Sequence, residues 1–144
     1  MATELEQTLF EEELDAVREL PEAPRWHIER DDTVPLGVYV VMHPKSAPNE
    51  KFKARIRWTD YFGPPSLKFV NISTDAEEQT AWPRCFGFRP DSKDACLPWT
   101  AEGHHLHPDW KNSAKHSFPK VELPLQFVLL QLQSSLDTSY QRRG

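Results

Sequence analysis

Cysteine and histidine are concentrated in one stretch of the 144-residue sequence, DACLPWTAEGHHLHPDW at positions 94–110. It contains Cys96, one of the two cysteines, and three of the six histidines, His104, His105 and His107. A thiolate near imidazoles is suited either to nucleophilic catalysis or to metal binding. A third interpretation is a small packed cysteine followed by a solvated polar loop.

A zinc site would use Cys85, Cys96, His104 and His107, because thiolate and imidazole are the usual ligands of tetrahedral zinc. The spacing Cys-x10-Cys-x7-His-x2-His lacks the paired-cysteine knuckle of a zinc finger. A chain of this length also buries enough surface to fold without a metal. We therefore expect no metal and no cofactor, with zinc as the less favoured alternative.

The composition favours a single globular domain over residues 1–144, located in the cytoplasm. Hydrophobic residues make up 38% of the chain and charged residues 27%, which is ordinary for a globular protein. The net charge of −5 argues against nucleic acid as a partner, since phosphate binding needs a basic face. The chain has no apolar run near the ~18 residues that span a bilayer, and its acidic start does not resemble a signal peptide. We expect no membrane partner.

An amphipathic helix is predicted over residues 1–20, because Pro21 and Pro24 end it. Thr8 and Glu11 would form a capping box if the helix begins there. The apolar stripe of this helix comprises Leu5, Leu9, Phe10, Leu14, Val17 and Leu20.

Four strands in an antiparallel meander are predicted next, in RWHIER, PLGVYVVMHP, KFKARIRW and SLKFVNIS. The third strand alternates strictly between an apolar face and a basic face. Its basic row is either a docking surface for an acidic partner or simply the solvated side of the sheet. The apolar residues are Phe52, Ala54, Ile56 and Trp58, and the basic ones are Lys51, Lys53, Arg55 and Arg57.

Residues 74–123 show no period, and long irregular segments in a compact domain are mostly functional. A core helix is predicted after them, beginning at Pro124 and burying Leu125, Val128, Leu129, Leu132 and Leu136. Residues 137–144 are predicted to form a frayed tail. Together these elements predict the α+β class.

The order of the elements resembles the ubiquitin-conjugating enzyme family over nearly the whole chain. Members of that family open with a helix, continue through a four-stranded antiparallel meander and a Tyr-Pro-x-x-Pro-Pro-x-x-x-Phe segment, and carry a catalytic cysteine in an Ile-Cys-Leu context before a central helix. The matching segments here are YFGPPSLKF at 61–69, ACL at 95–97, Trp110 and LQFVLLQLQSSL at 125–136. The resemblance implies the ubiquitin-conjugating-enzyme-like fold, with a long active-site loop that carries Cys96.

Departures from the family pattern point to a divergent subgroup. The His-Pro-Asn tripeptide of the family falls at FGFRPD, residues 86–91, which has neither the histidine nor the asparagine. The segment from Cys96 to Trp110 is longer than usual and carries histidines, and the helix at 124–136 is the last one in the sequence. These features resemble the short conjugating enzymes of bacterial anti-phage operons, which are described as lacking the asparagine and using histidine near the cysteine.

The resemblance implies that Cys96 accepts a ubiquitin-like protein from an activating enzyme as a thioester and transfers it to an amine of a protein substrate. Because the family's asparagine stabilises the oxyanion, we expect His105 or His107 to donate there or to take the amine proton. These two histidines share one side if their segment is extended. Asp109 would orient a histidine or the incoming lysine, or else act as a turn or helix-cap residue. The N-terminal helix would contact the activating enzyme, or else its acidic face is simply a solvated surface.

Two other classes of function stay open. A non-catalytic module of the same fold would bind ubiquitin-like proteins; the missing asparagine favours it and the retained cysteine argues against it. The zinc protein considered above is the other. Outside the zinc hypothesis Cys85 is predicted to pack, and Trp99 and Trp110 are predicted to pack rather than to take part in catalysis.

Overall fold

The N-terminal helix α1 spans Glu4–Val17 in the computed structural model, which describes residues 2–144. Thr3 is its N-cap, and a capping box joins Thr3 to Glu6. The capping box predicted for Thr8 and Glu11 is therefore wrong, because the helix begins one turn earlier.

One stripe of α1 packs against the rest of the protein. Phe10, Leu14 and Val17 are buried, whereas Leu5 is 68% exposed. Leu5 was predicted to belong to the apolar stripe, but it lies in the first turn, ahead of the part of the helix that contacts the core. The prediction of an amphipathic helix is confirmed, with a stripe shorter than expected.

The four predicted strands form one antiparallel sheet with the order β1-β2-β3-β4. Its strands are β1 (His27–Arg30), β2 (Gly37–Met42), β3 (Phe52–Arg57) and β4 (Ser66–Val70). Register on the buried face places Ala54 of β3 between Val40 of β2 and Phe69 of β4. The predicted meander is confirmed, and the fold belongs to the α+β class.

The outer face of β3 carries the predicted basic row, and three of its charges are neutralised within the protein. Lys53 lies 2.7 Å from Asp75, Arg55 lies 2.9 Å from Glu77, and Arg57 lies 2.8 Å from Asp31. These pairs favour the solvated side of a sheet over a docking surface for an acidic partner.

Short elements occupy residues 74–123, where the sequence shows no period. They include the strand β5 (Pro83–Arg84), a small hairpin of β6 (Phe88–Arg89) and β7 (Asp94–Ala95), and the helix α2 (Ala101–Leu106). Two 3-10 turns, Gln79–Ala81 and Pro108–Asn112, complete the segment. Elements of two to six residues are too short to produce a readable hydrophobic period.

The C-terminal helix α3 spans Pro124–Ser139, with Pro124 in its first turn. All five apolar residues predicted for its inner face are buried: Leu125, Val128, Leu129, Leu132 and Leu136. The predicted core helix is confirmed.

A buried carboxylate joins α1 to the beginning of α3. Glu13 accepts hydrogen bonds from the backbone amides of Leu125 at 3.2 Å and Gln126 at 2.7 Å, and from the hydroxyl of Tyr61. Burial, aided by this bond to Glu13, raises the pKa of Tyr61, so the hydroxyl stays protonated and donates. Glu13 thus satisfies backbone donors that the first turn of a helix leaves free.

The frayed tail predicted for residues 137–144 is wrong, because these residues make specific contacts. Asp137 is still inside α3 and pairs with Arg25 at 2.9 Å. Strand β8 (Arg142–Arg143) then pairs with β5, and the amide of Gly144 donates to the carbonyl of Trp82 at 2.7 Å. The basic composition of the tail suggested that it is exposed to solvent, but its backbone hydrogen bonds are satisfied by β5 and Trp82.

Over residues 2–144, the structure has no helix of the length and apolar character needed to cross a membrane.

Candidate active site

Cys96 follows directly after the β6–β7 hairpin. Register pairs Phe88 with Ala95 and Arg89 with Asp94. The turn between the strands is closed by a hydrogen bond from the Lys93 amide to the Pro90 carbonyl at 3.3 Å. The hairpin therefore fixes the backbone immediately before the cysteine.

Gly87 faces Cys96 from the opposite strand. The Cys96 amide donates to the Gly87 carbonyl at 2.7 Å. Gly87 has φ +83°, and a Cβ there would lie 2.4 Å from Cδ2 of Leu97. Only glycine fits this position without strain, and its missing side chain makes room for Leu97. The Cys96 thiol beside it is partly exposed.

Thr100 fixes the backbone on the other side of Cys96. Its buried Oγ1 donates to the Ala95 carbonyl at 2.6 Å and accepts from the Leu97 and Gly103 amides at 3.3 and 3.1 Å. Thr100 is thus the N-cap of α2 and spans the turn that contains Cys96. The sequence analysis missed this residue, although a threonine before a short helix is an N-cap signal.

An ion pair lies on the hairpin beside Cys96. Arg89 donates to both carboxylate oxygens of Asp94, from Nε at 2.6 Å and from Nη2 at 2.9 Å. The hydrogen bond from Arg89 is the main cause that lowers the pKa of Asp94, and the same bond raises the pKa of Arg89. In the sequence, Arg89 appeared only as part of FGFRPD, without an assigned role.

The second cysteine has a different environment. Cys85 is 7% exposed, and burial raises the pKa of its thiol to about 12 despite a hydrogen bond with Ser139. A thiol in that state is a poor nucleophile near neutral pH. This burial agrees with the interpretation of Cys85 as a packing residue, and it leaves Cys96 as the accessible thiol.

The predicted histidines lie on α2 or next to it, so the extended segment assumed for residues 105–107 is wrong. In a helix, residues two apart point in nearly opposite directions, which separates His105 from His107. His104 instead donates from Nε2 to the Pro98 carbonyl at 2.6 Å. His105 is exposed and lines a shallow groove together with Lys68, Asp94, Ala101, Glu102 and Leu106.

His107 is the C-cap of α2, and its ring stacks on Trp110 with centroids 4.3 Å apart. His116 also stacks on this indole, with centroids 5.0 Å apart. Trp110 was predicted to pack, and its partners are these two imidazoles. His116 was missed because it lies outside the stretch where the other histidines cluster.

Asp109 lies in the first turn of the 3-10 helix Pro108–Asn112 and is exposed. In the described part of the chain, no hydrogen bond joins Asp109 or the Cys96 thiol to a histidine. The N-cap of this helix is His107 and no side chain makes a capping hydrogen bond there, so Asp109 is a turn residue and not a helix cap. Its acidic charge in the first turn is favourable for the helix.

The four candidate zinc ligands do not come together. Cys85 is buried next to Ser139, and the rings of His104 and His107 are engaged by Pro98 and Trp110. Across residues 2–144, no three His, Cys, Asp or Glu side chains are grouped so that they could hold a metal ion.

Comparisons of the chain with protein-family models, with curated proteins and with solved structures find no match.

Proposed function

We propose that this protein is a ubiquitin-like protein conjugating enzyme, in which Cys96 carries the ubiquitin-like protein as a thioester. The observation that carries the proposal is the contrast between the two thiols: Cys96 is accessible opposite Gly87, whereas Cys85 is buried. The order of elements supports it as well. An N-terminal helix and a four-stranded antiparallel meander precede the cysteine in the chain, and a core helix follows it, as the resemblance to the conjugating-enzyme family implies.

The chemistry is two successive acyl transfers. In the first, the Cys96 thiolate attacks the thioester carbonyl of the loaded activating enzyme, a new C–S bond forms, and the activating enzyme's thiolate leaves. In the second, a substrate amine attacks the carbonyl on Cys96, a C–N bond forms, and the Cys96 thiolate leaves. The amine loses one proton, which a general base accepts.

His105 is the histidine best placed to take that proton. It is exposed on the same groove as Asp94, two residues before Cys96. An exposed imidazole next to the hairpin can reach an amine that approaches the thioester from solvent. His107 is less available because one face of its ring is covered by Trp110. Asp109 has no contact here that supports a catalytic role.

The partners of the proposed reaction are an activating enzyme, a ubiquitin-like protein and a protein amine. The resemblance to short bacterial conjugating enzymes supports a reaction in the cytoplasm, as part of an anti-phage system. The proposal involves no cofactor, nucleic acid or membrane.

The test is a charging reaction with ATP and with the cognate activating enzyme and ubiquitin-like protein. We expect an adduct of one ubiquitin-like protein that disappears when a reducing agent is added. Cys96→Ala should abolish this adduct, and the matched change Cys85→Ala should preserve it. Tight binding of the ubiquitin-like protein without any adduct would show the non-catalytic binding module instead.

A further inference from the structure

The β6–β7 hairpin presents two faces, and Cys96 shares one of them with Arg89 and Asp94. Exposure alternates along residues 94–97: Asp94 and Cys96 are partly exposed, whereas Ala95 and Leu97 are buried. On the facing strand, Phe88 is buried and Arg89 is exposed. Since side chains alternate between the faces of a strand, the thiol and the guanidinium project from the same side.

Arg89 is the nearest long side chain across the hairpin from Cys96. The residue directly opposite Cys96 is Gly87, which has no side chain, and Arg89 is the next residue on that face. Diagonal neighbours in an antiparallel pair lie roughly 7–8 Å apart at their backbones, within reach of a long side chain.

The guanidinium is held in place but keeps free donors. The bidentate pair with Asp94 uses Nε and Nη2 of Arg89, and Ser92 donates to the same carboxylate at 3.2 Å. Nη1 makes no hydrogen bond in residues 2–144. An Arg89 side chain that is 46% exposed can therefore point this nitrogen at a group bound on Cys96.

Electrostatics link the two residues independently of the register. The hydrogen bond to Asp94 is the largest cause that raises the pKa of Arg89, and the negative charge of Cys96 in its thiolate form raises it further. A guanidinium close enough to interact with charge on the Cys96 sulfur also interacts with charge on the oxygen of an acyl group bound to that sulfur.

We infer that Arg89 is a catalytic residue that donates a hydrogen bond from Nη1 to the oxyanion formed when a carbonyl carbon is attacked at Cys96. The inference rests on the proposed function and extends it, because it supplies the donor that FGFRPD otherwise lacks. Asp94 is a positioning residue that fixes the direction of the guanidinium. An oxyanion forms in both acyl transfers, so Arg89 serves the loading and the discharge of Cys96.

A small ester tests this role without any ubiquitin-like protein. When p-nitrophenyl acetate acylates Cys96, the thiolate attacks the ester carbonyl, an oxyanion forms, and p-nitrophenolate leaves. When iodoacetamide alkylates Cys96, iodide is displaced and no oxyanion forms. Peptide masses assign each modification to Cys96, and the rates of Cys96→Ala are subtracted as background. The ratio of the two rates then separates oxyanion stabilisation from thiolate reactivity.

Arg89→Ala should slow acylation relative to alkylation on the order of 10²-fold, the effect of losing one oxyanion donor, because a change in the thiolate fraction affects both rates and cancels in their ratio. Arg89→Lys should recover only part of the rate, since an ammonium group cannot keep the bidentate pair and point a second donor. Arg84→Ala is the matched control, because Arg84 makes a similar ion pair with Asp91 at 3.0 Å.

The inference is overturned if acylation and alkylation fall together, because Arg89 would then affect only the thiolate or the hairpin. It is also overturned if Arg89→Ala acylates within about threefold of the wild type, a loss too small for an oxyanion donor. Because charging is measured separately, a protein that accepts no ubiquitin-like protein but shows the Arg89 effect would refute the proposed function alone.

Discussion

Gly87 and Cys96 are hydrogen-bonded across the hairpin, with the Cys96 amide 2.7 Å from the Gly87 carbonyl. The glycine adopts φ +83° and approaches Leu97 so closely that no other residue fits. The position of the thiol therefore depends on a residue that takes no part in the chemistry.

Gly87→Ala should destabilise the protein by about 1–3 kcal/mol, because an added Cβ is strained at positive φ and meets Leu97 at 2.4 Å. Urea denaturation measures the change in the free energy of unfolding. Gly63→Ala is the control, since its Cβ would meet its nearest atom at 3.5 Å. Equal effects of the two substitutions would contradict the strained turn.

Leu129→Ala should lower the free energy of unfolding by about 2–5 kcal/mol, as expected for a leucine truncated in a core. Leu129 is fully buried on α3. The same substitution at the exposed Leu5 should change stability by less than about 0.5 kcal/mol. A small effect at Leu129 would mean that α3 does not pack as described.

The long elements could be predicted from the sequence because their patterns are repeated over many residues. The alternation of Phe52, Ala54 and Ile56 and the leucine spacing of α3 each follow from one buried face. The contacts of residues 137–144 could not, because β8 has two residues and its pairing with β5 depends on a partner distant in sequence.

The candidate site shows the same division. Cys96 was singled out from its local context, and the N-cap Thr100 could have been read in the same way. The pairing of Arg89 with Asp94 depends instead on cross-strand register, which no linear pattern displays. The pairing of His105 with His107 failed because it assumed an extended chain where α2 forms. Local chemistry pointed to the thiol, and tertiary contacts determine what surrounds it.

Stability should fall as the medium becomes acidic. Burial of Asp31 acts to raise its pKa, but hydrogen bonds from Thr33 and Arg57 outweigh burial and lower it below 3.8. A carboxylate whose pKa is lower in the folded state than in the unfolded state stabilises the protein at pH values above its unfolded-state pKa. This stabilisation is lost as the pH falls through the folded-state pKa. We expect the loss to begin below about pH 4, the ordinary range for aspartate.

Asp31→Asn should reduce stability at neutral pH and make the acid loss shallower, as measured by urea denaturation at several pH values. Asp31 is 1% exposed and pairs with Arg57, so the substitution removes a buried charge interaction. Its exposed neighbour serves as the control, and Asp32→Asn should leave both the stability and its pH dependence unchanged. If the free energy of unfolding of Asp31→Asn falls with pH as steeply as that of the wild type, Asp31 is not a source of the acid sensitivity.

Discharge of the thioester should distinguish the two predicted histidines. His105→Ala should slow single-turnover transfer to free lysine on the order of 10²-fold, the lower range for a lost general base. His107→Ala should have a smaller effect, because its ring is stacked on Trp110. If neither variant departs from the wild type by more than about threefold, another group carries the proton.

A pulse-chase measurement tests the central claim most directly. Cys96 is first charged with the ubiquitin-like protein, the activating enzyme is then stopped by removing ATP, and lysine is added while intact masses are followed. The account predicts that the adduct on Cys96 disappears at the rate at which a lysine amide of the ubiquitin-like protein appears, and that Cys96→Ser forms an oxygen ester that discharges far more slowly. An adduct that maps to Cys85, or one that is lost at the same rate without lysine and yields no amide, would contradict it.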